Sequence, residues 1–357
     1  MPLSERDNYL RNATFRRPEW IPVGFYISNA AWDQLRQDLE AVLAQHPTLF
    51  PDFVPGQRDF DHFEFGPAHT AGEDYTDAWG CLWRAAINGL EGVVARGPLS
   101  DWEKLASYQA PDPAIQWDRG PADWEGARKQ VAEARTKGNV ARGGVPHGFL
   151  FLRLTYLRGF ENLMLDIASQ APELDGLIEK VMTYNRGLVE RWLALGVDVM
   201  ELADDLGTQK AAAISPAHFR RYLAPHYRSL VEASHAKGAL VGFHSDGYIM
   251  DIMDELLATG IDIINPQDLL NGVEDLARAV KGRACIRLDI DRQKIVPYGS
   301  RAEIRDLIEY EVRTLGSPLG GLELICGIYP PTPAENVDAV CSAIEEFRAF
   351  WWDGRGG

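Results

Sequence analysis

Gly196-Val197-Asp198-Val199-Met200-Glu201-Leu202-Ala203-Asp204-Asp205-Leu206-Gly207 and Ala239-Leu240-Val241-Gly242-Phe243-His244-Ser245-Asp246-Gly247 are the two stretches that decide the fold. In each, a short apolar run ends abruptly in acids, with an imidazole in the second, and then a glycine. Between them, residues 216–237 carry apolar positions at helical spacing. A short apolar strand, a longer amphipathic helix and a second strand read as a parallel β/α unit.

The same alternation extends outward. Downstream, strands are expected at 261–264, 284–288 and 322–325, with helices at 249–258, 272–280, 301–315 and 333–350. Upstream, residues 149–155 read as a strand, followed by helices at 158–168 and 172–195. Residues 20–24 supply a further strand, and residues 29–46 have helical spacing. That makes seven strands, with the eighth expected near 75–83 or inside an insertion. The expected fold is an α/β (β/α)8 TIM barrel with an irregular N-terminal extension, a single domain over 1–357. Its 1–146 part is irregular, with a long loop at 48–70 and a hairpin insertion from 75–83 to 93–95 through Asn88-Gly89. Its 147–350 part holds the regular units. A doubly wound open sheet is the rival, but no Gly-rich dinucleotide turn follows the first strand.

Bulk composition narrows the function. The 357 residues include 52 Asp and Glu against 36 Lys and Arg, a net charge of −16. Such a chain does not attract nucleic-acid phosphates or anionic lipid. It has no apolar run long enough to span a bilayer and no signal-like start, so a cytoplasmic location is expected. Cys81, Cys285, Cys326 and Cys341 are widely spread and form no CxxC pair, which argues against a disulfide framework.

In a barrel, catalytic groups stand just beyond the C-terminal ends of the strands. Here those positions hold Glu201, Asp204 and Asp205; His244 and Asp246; Asn265 and Gln267; Asp289; and Cys326. Two kinds of chemistry suit the set. His244 and Cys326, with Glu201 or Asp246 completing the set, offer N, S and O donors for a zinc ion with an open position. Alternatively, Asp204, Asp205 and Asp246 act as acid/base groups and His244 orients or protonates a substrate. Asp204 and Asp205 also fit as helix-cap or turn residues. Trp79, Arg153, Asn265, Gln267 and Asp289 are candidates for substrate contact, Arg153 through a bidentate carboxylate clamp. Trp79 also fits a core, and Arg153 also fits an internal ion pair.

At these residues the chain resembles the uroporphyrinogen decarboxylase superfamily, which also contains corrinoid-dependent methyltransferases. The resemblance is carried by Asp77-Ala78-Trp79-Gly80 with Trp83, Pro98-Leu99-Ser100-Asp101, Leu157-Arg158-Gly159-Phe160-Glu161-Asn162, Asp204-Asp205-Leu206-Gly207, Phe243-His244-Ser245-Asp246-Gly247, Gly260-Ile261-Asp262-Ile263-Ile264-Asn265-Pro266 and Pro330-Pro331-Thr332-Pro333. It implies a (β/α)8 barrel. It also implies one of two activities, methyl transfer or decarboxylation. Decarboxylases of the family carry an Arg-rich N-terminal segment for the porphyrin precursor's carboxylates, and the stretch Arg17-Pro18-Glu19-Trp20-Ile21-Pro22-Val23-Gly24 lacks its signature. The methyltransferases bind zinc through His-x-Cys and a late Cys; here Asp246 stands where the first Cys is expected, and Cys326 supplies the second.

The leading expectation is therefore a zinc-dependent methyltransferase. It would act on a small methylated substrate or methyl acceptor, with a partner protein carrying the corrinoid, methylcobalamin. The alternative is a metal-independent decarboxylase of uroporphyrinogen or another carboxylated substrate. A binding module without activity is a third class, disfavoured by the number of polar strand-end residues. The aromatic stretch Phe350-Trp351-Trp352 is compatible with a homodimer or with packing on the same chain.

Overall fold

A computed structural model describes residues 3–62 and 64–356. The chain divides into two compact units. The first holds the chain up to residue 71, residues 85–91 and everything from residue 266 on; the second holds residues 72–84 and 92–265. The architecture is α/β, and its parallel part has seven strands among the described residues.

In the first unit, the strand Leu322–Ile328 lies between Val23–Ile27 and Cys285–Asp289, parallel to both. Leu324, Ile328, Ile286 and Leu288 are fully buried, as expected of strands covered on both faces. The helices Arg301–Leu315 and Ala334–Phe347 pack on one another. The first of them starts at a capping box in which Ser300 and Glu303 satisfy each other's backbone N–H groups. The expected strand at 20–24 is displaced to Val23–Ile27.

The register of this unit sets Arg287 opposite Glu323, and their buried ion pair closes at 2.7 Å with the Tyr9 hydroxyl donating to Glu323 at 3.0 Å. A second buried polar group is a pair of acids. Glu311, from the helix Arg301–Leu315, is wholly buried near the buried acid Asp268, and neither of its carboxyl oxygens has a hydrogen-bond partner among the described residues. Burial, and then the neighbouring negative charge, pushes Glu311 well above the usual carboxylate range. Its proton is thus bound more tightly in the folded than in the unfolded protein. The resulting stability is complete below the unfolded-state pKa and is lost as the pH rises through the raised folded value. Glu311→Gln is expected to remove this loss, at about 1.4 kcal/mol per pH unit for one proton. Urea unfolding from pH 5 to 9 checks this: the wild type falls more steeply than the variant.

In the second unit, Val199–Ala203 lies between Arg142–Gly144 and Leu240–Ser245, parallel to both. The strand Arg142–Gly144 escapes hydrophobic patterning because two of its three residues are glycines. Both are needed for close approach: a Cβ on Gly143 would lie 2.6 Å from the Trp192 ring, and one on Gly144 would lie 2.7 Å from the Glu201 carbonyl oxygen. The expected strand at 149–155 is instead the helix Phe151–Arg158. Phe151, Arg153, Leu154, Leu157 and Arg158 are its buried positions, and the apolar ones among them have a helical spacing that a short apolar run also presents to a strand reading. The helical outcome is fixed by the Asp204 carboxylate, which accepts the backbone N–H groups of Phe151 and Leu152 at the helix start.

Residues 75–83 contribute no eighth parallel strand. Asp74–Thr76, Leu82–Arg84 and Val93–Arg96 form a separate three-stranded antiparallel sheet. The expected helix at 216–237 is two helices, Pro216–Tyr222 and Ala224–His235, with Pro225 in the first turn of the second.

All four cysteines are buried and free of disulfides. The aromatic C-terminus packs on its own unit, with Phe350 buried and the Trp351 and Trp352 indole N–H groups donating to the Val312 and Pro318 carbonyls. Among the described residues no helix is long and apolar enough to cross a membrane.

Candidate metal site

The second unit gathers polar side chains where its parallel strands end. Val199–Ala203 runs directly into Asp204 and Asp205, which point opposite ways, as successive residues of extended chain do. Asp204 turns inward. It is wholly buried, accepts the Tyr227 hydroxyl at 2.7 Å, and caps the helix Phe151–Arg158. Burial pushes its carboxyl up to about 6 against the pull of those hydrogen bonds.

Asp205 turns the other way. Its Oδ1 accepts the Asp246 amide N–H at 2.9 Å and lies 3.1 Å from His147 Nε2 and 3.7 Å from His244 Nε2. Burial alone would raise its carboxyl. The His147 hydrogen bond, the two imidazoles and the Asp246 amide outweigh this and hold it below the usual carboxylate range.

His244 lies near the end of the strand Leu240–Ser245, and its Nδ1 is 2.8 Å from Asn265 Oδ1. An amide oxygen only accepts, so Nδ1 carries the proton and donates. Burial lowers the pKa of this imidazole, against the attraction of Asp246 and Asp205, and so favours the neutral ring. The neutral tautomer with Nδ1–H leaves a lone pair on Nε2. That lone pair meets oxygens rather than donors, since Nε2 is 3.4 Å from Asp246 Oδ1 and 3.7 Å from Asp205 Oδ1. A neutral imidazole and carboxylates converging through their lone pairs repel unless a cation or a proton stands among them.

His147, three residues past the strand Arg142–Gly144, completes the group; its ring centroid is 5.8 Å from that of His244. One donor atom each from His147, Asp205 and His244 lies within 4.8 Å of the other two. Two imidazole nitrogens and one carboxylate oxygen suit zinc or another divalent transition ion, with positions left for water or substrate. Asn265 is then the outer partner that fixes the His244 tautomer. The loops beneath are held by two glycines in contact. Gly247 has φ +85°, and a Cβ there would lie 2.3 Å from the Gly207 carbonyl carbon.

The remaining strand-end candidates lie elsewhere. Glu201 is paired with Arg142 across the neighbouring strand. Cys326 belongs to the first unit and is fully buried, its thiol pushed well up by burial and then by Cys341 and nearby acids. Gln267 and Asp289 are also buried in the first unit, joined by an isolated parallel bridge, with Arg292 3.3 Å from Asp289. Trp79 and Arg153 sit in the core of the second unit. Arg153 pairs with Asp77 at 3.2 Å and Asp118 at 3.6 Å, and its guanidinium lies 4.9 Å from the centre of the Trp79 ring. His147 was not singled out by the sequence reading. The signal that finds it is the glycine-rich strand Arg142–Gly144, whose exit puts the Val145-Pro146-His147 segment beside Asp205.

The chain is similar to proteins of two activities. It is 27% identical over 179 residues to a uroporphyrinogen decarboxylase of Thermus thermophilus, covering 49% of this chain and 48% of that protein. It is 25% identical over 187 residues to the methylcobamide:CoM methyltransferase of Methanosarcina barkeri, covering 52% and 50%. The matches thus span about half the length of these curated relatives. A solved methyltransferase from Methanosarcina mazei shares the fold, with a TM-score of 0.67 over 97% of this chain and 99% of that one, at 16% identity. The family model described as uroporphyrinogen decarboxylase (URO-D) matches residues 95–347, and the chain belongs to that family.

Proposed function

We propose that this protein is a metal-dependent methyltransferase of the corrinoid-linked kind, with zinc held by His147, Asp205 and His244. The observation that carries the proposal is the meeting of the His244 Nε2 lone pair with carboxylate oxygens while Nδ1 is committed to Asn265. A bound zinc ion supplies Lewis acidity, polarising a substrate oxygen or lowering the pKa of a bound thiol or water. The protein supplies the rest. Asn265 orients His244, the Asp246 amide steadies Asp205, and the Asp205 charge favours the cation. Asp246, whose Oδ1 lies 3.4 Å from His244 Nε2, is the acid/base group in this reading and exchanges a proton with substrate. The methyl group passes between a small substrate and the corrinoid of a separate carrier protein.

The decarboxylase reading needs a cation for the substrate's carboxylate. Arg153, the residue suggested for that role, is engaged with Asp77 and Asp118. The test is turnover. Protein purified without chelator, given methylcobalamin or a methylated corrinoid protein and a panel of thiol and hydroxyl acceptors, is expected to demethylate the corrinoid. Activity is expected to fall on chelation and return with zinc. Undiminished activity in metal-free protein, or metal-free release of carbon dioxide from uroporphyrinogen, contradicts the proposal.

A further inference from the structure

A cavity of about 240 Å³ opens in the second unit, walled by Trp117, Trp192, Leu188, Gly144, Pro146 and Asp118. Pro146 is directly followed by His147, so the cavity borders the segment that carries one of the proposed metal ligands. We infer that this cavity receives a small, uncharged aromatic ring carried by the substrate; the inference rests on the metal reading only for what lies beside the ring.

Three observations lead there. The first is that the walls are rigid and flat. Trp124 holds both tryptophans by edge contacts, 5.7 Å from Trp117 and 5.4 Å from Trp192, and its own indole N–H is anchored on the Pro113 carbonyl at 3.0 Å. The missing Cβ of Gly143 lets Trp192 lie against the strand. Indole surfaces held in place favour aromatic partners, each such pair being worth about 0.5–1.5 kcal/mol beyond the area it buries.

The second observation is charge. Asp118 is the one ionisable residue in the lining, and it lies 3.6 Å from Arg153 and 3.8 Å from Arg119. Arg153 also pairs with Asp77. The two carboxylates and two guanidiniums cancel formally. A quaternary ammonium would find the indoles but no net negative charge, and a carboxylate would find guanidiniums already paired. A neutral ring meets neither problem.

The third is size. The cavity is smaller than the roughly 300–1,000 Å³ of sites for drug-sized ligands. It holds one ring with a small substituent, not a tetrapyrrole.

Calorimetric titration of the whole protein with anisole tests this, with tetramethylammonium and 4-methoxybenzoate as competitors and metal content measured in the same samples. Anisole is expected to bind more tightly than either ion. Trp192→Ala is expected to weaken binding about tenfold or more, and Trp192→Phe, which keeps a flat wall, to restore most of it. Tighter binding of tetramethylammonium or of the benzoate overturns the inference, as does anisole binding unchanged in Trp117→Ala and Trp192→Ala. If the protein holds its metal but no anisole, the ring assignment fails alone; if it binds anisole but no metal, the metal site fails alone.

Discussion

Replacing His147 with alanine is expected to lower zinc affinity by more than the roughly 10- to 100-fold that loss of an outer partner costs a metal site. His147 is the most exposed of the three donors, with 40% of its side chain accessible, so the fold should tolerate the change. Unfolding of the metal-free variant should stay within about 0.5 kcal/mol of the metal-free wild type. Asn265→Ala should weaken zinc by the smaller, outer-partner amount, because it frees the His244 tautomer without removing a donor. Cys326→Ala should leave zinc binding intact. Competition with a chromogenic chelator reads all three. Zinc binding lost in Cys326→Ala and kept in His147→Ala would favour the ligand set suggested by sequence resemblance instead.

The second large effect is on stability. Replacing Arg153 with leucine is expected to cost about 3–5 kcal/mol, the range for removing one partner of a buried ion pair. Asp77 has no exposed side-chain surface, and it would keep its other donors, the Trp83 indole N–H at 2.8 Å and the Trp79 and Cys81 amides at 2.9 and 2.8 Å. Those three hydrogen bonds soften the loss but do not neutralise the charge. The double variant Asp77→Asn with Arg153→Leu should therefore recover part of the deficit. Denaturant unfolding measures both, and a cost under about 1 kcal/mol for Arg153→Leu would show that the pair is not the anchor described.

How much of this was legible in the sequence depends on which signal each element sent. The helix expected at 301–315 is Arg301–Leu315 in the structure, with Ile304, Ile308, Val312 and Leu315 buried at helical spacing. The strands expected at 284–288 and 322–325 are Cys285–Asp289 and Leu322–Ile328, the second running three residues further than expected. Two neighbouring segments misled. Residues 149–155 are apolar except for Arg153 and Thr155, and only Asp204, some fifty residues away in the chain, decides that they begin a helix. Arg142–Gly144 has almost no apolar content, because Trp192 and the neighbouring strand take the space that side chains would fill.

The site follows the same division. Asp205, His244 and Asn265 stand out in the sequence because they end recognisable strands. His147 was missed because its strand was. Polarity at a strand end could not distinguish the roles of Asp204 and Asp205. Alternation along extended chain sends one into the interior, against Tyr227 and a helix start, and the other toward two imidazoles. Of the two readings of Arg153, a carboxylate clamp or an internal ion pair, the structure has an ion pair, with Asp77 and Asp118, partners that the sequence does not reveal.

The most direct measurement is anomalous diffraction at the zinc edge from crystals of the protein grown with zinc. A peak is predicted at about 2.0–2.2 Å from His147 Nε2, His244 Nε2 and an Asp205 oxygen. A peak bound to the Cys326 sulfur, or none at these three residues while zinc orders elsewhere in the molecule, would contradict the account.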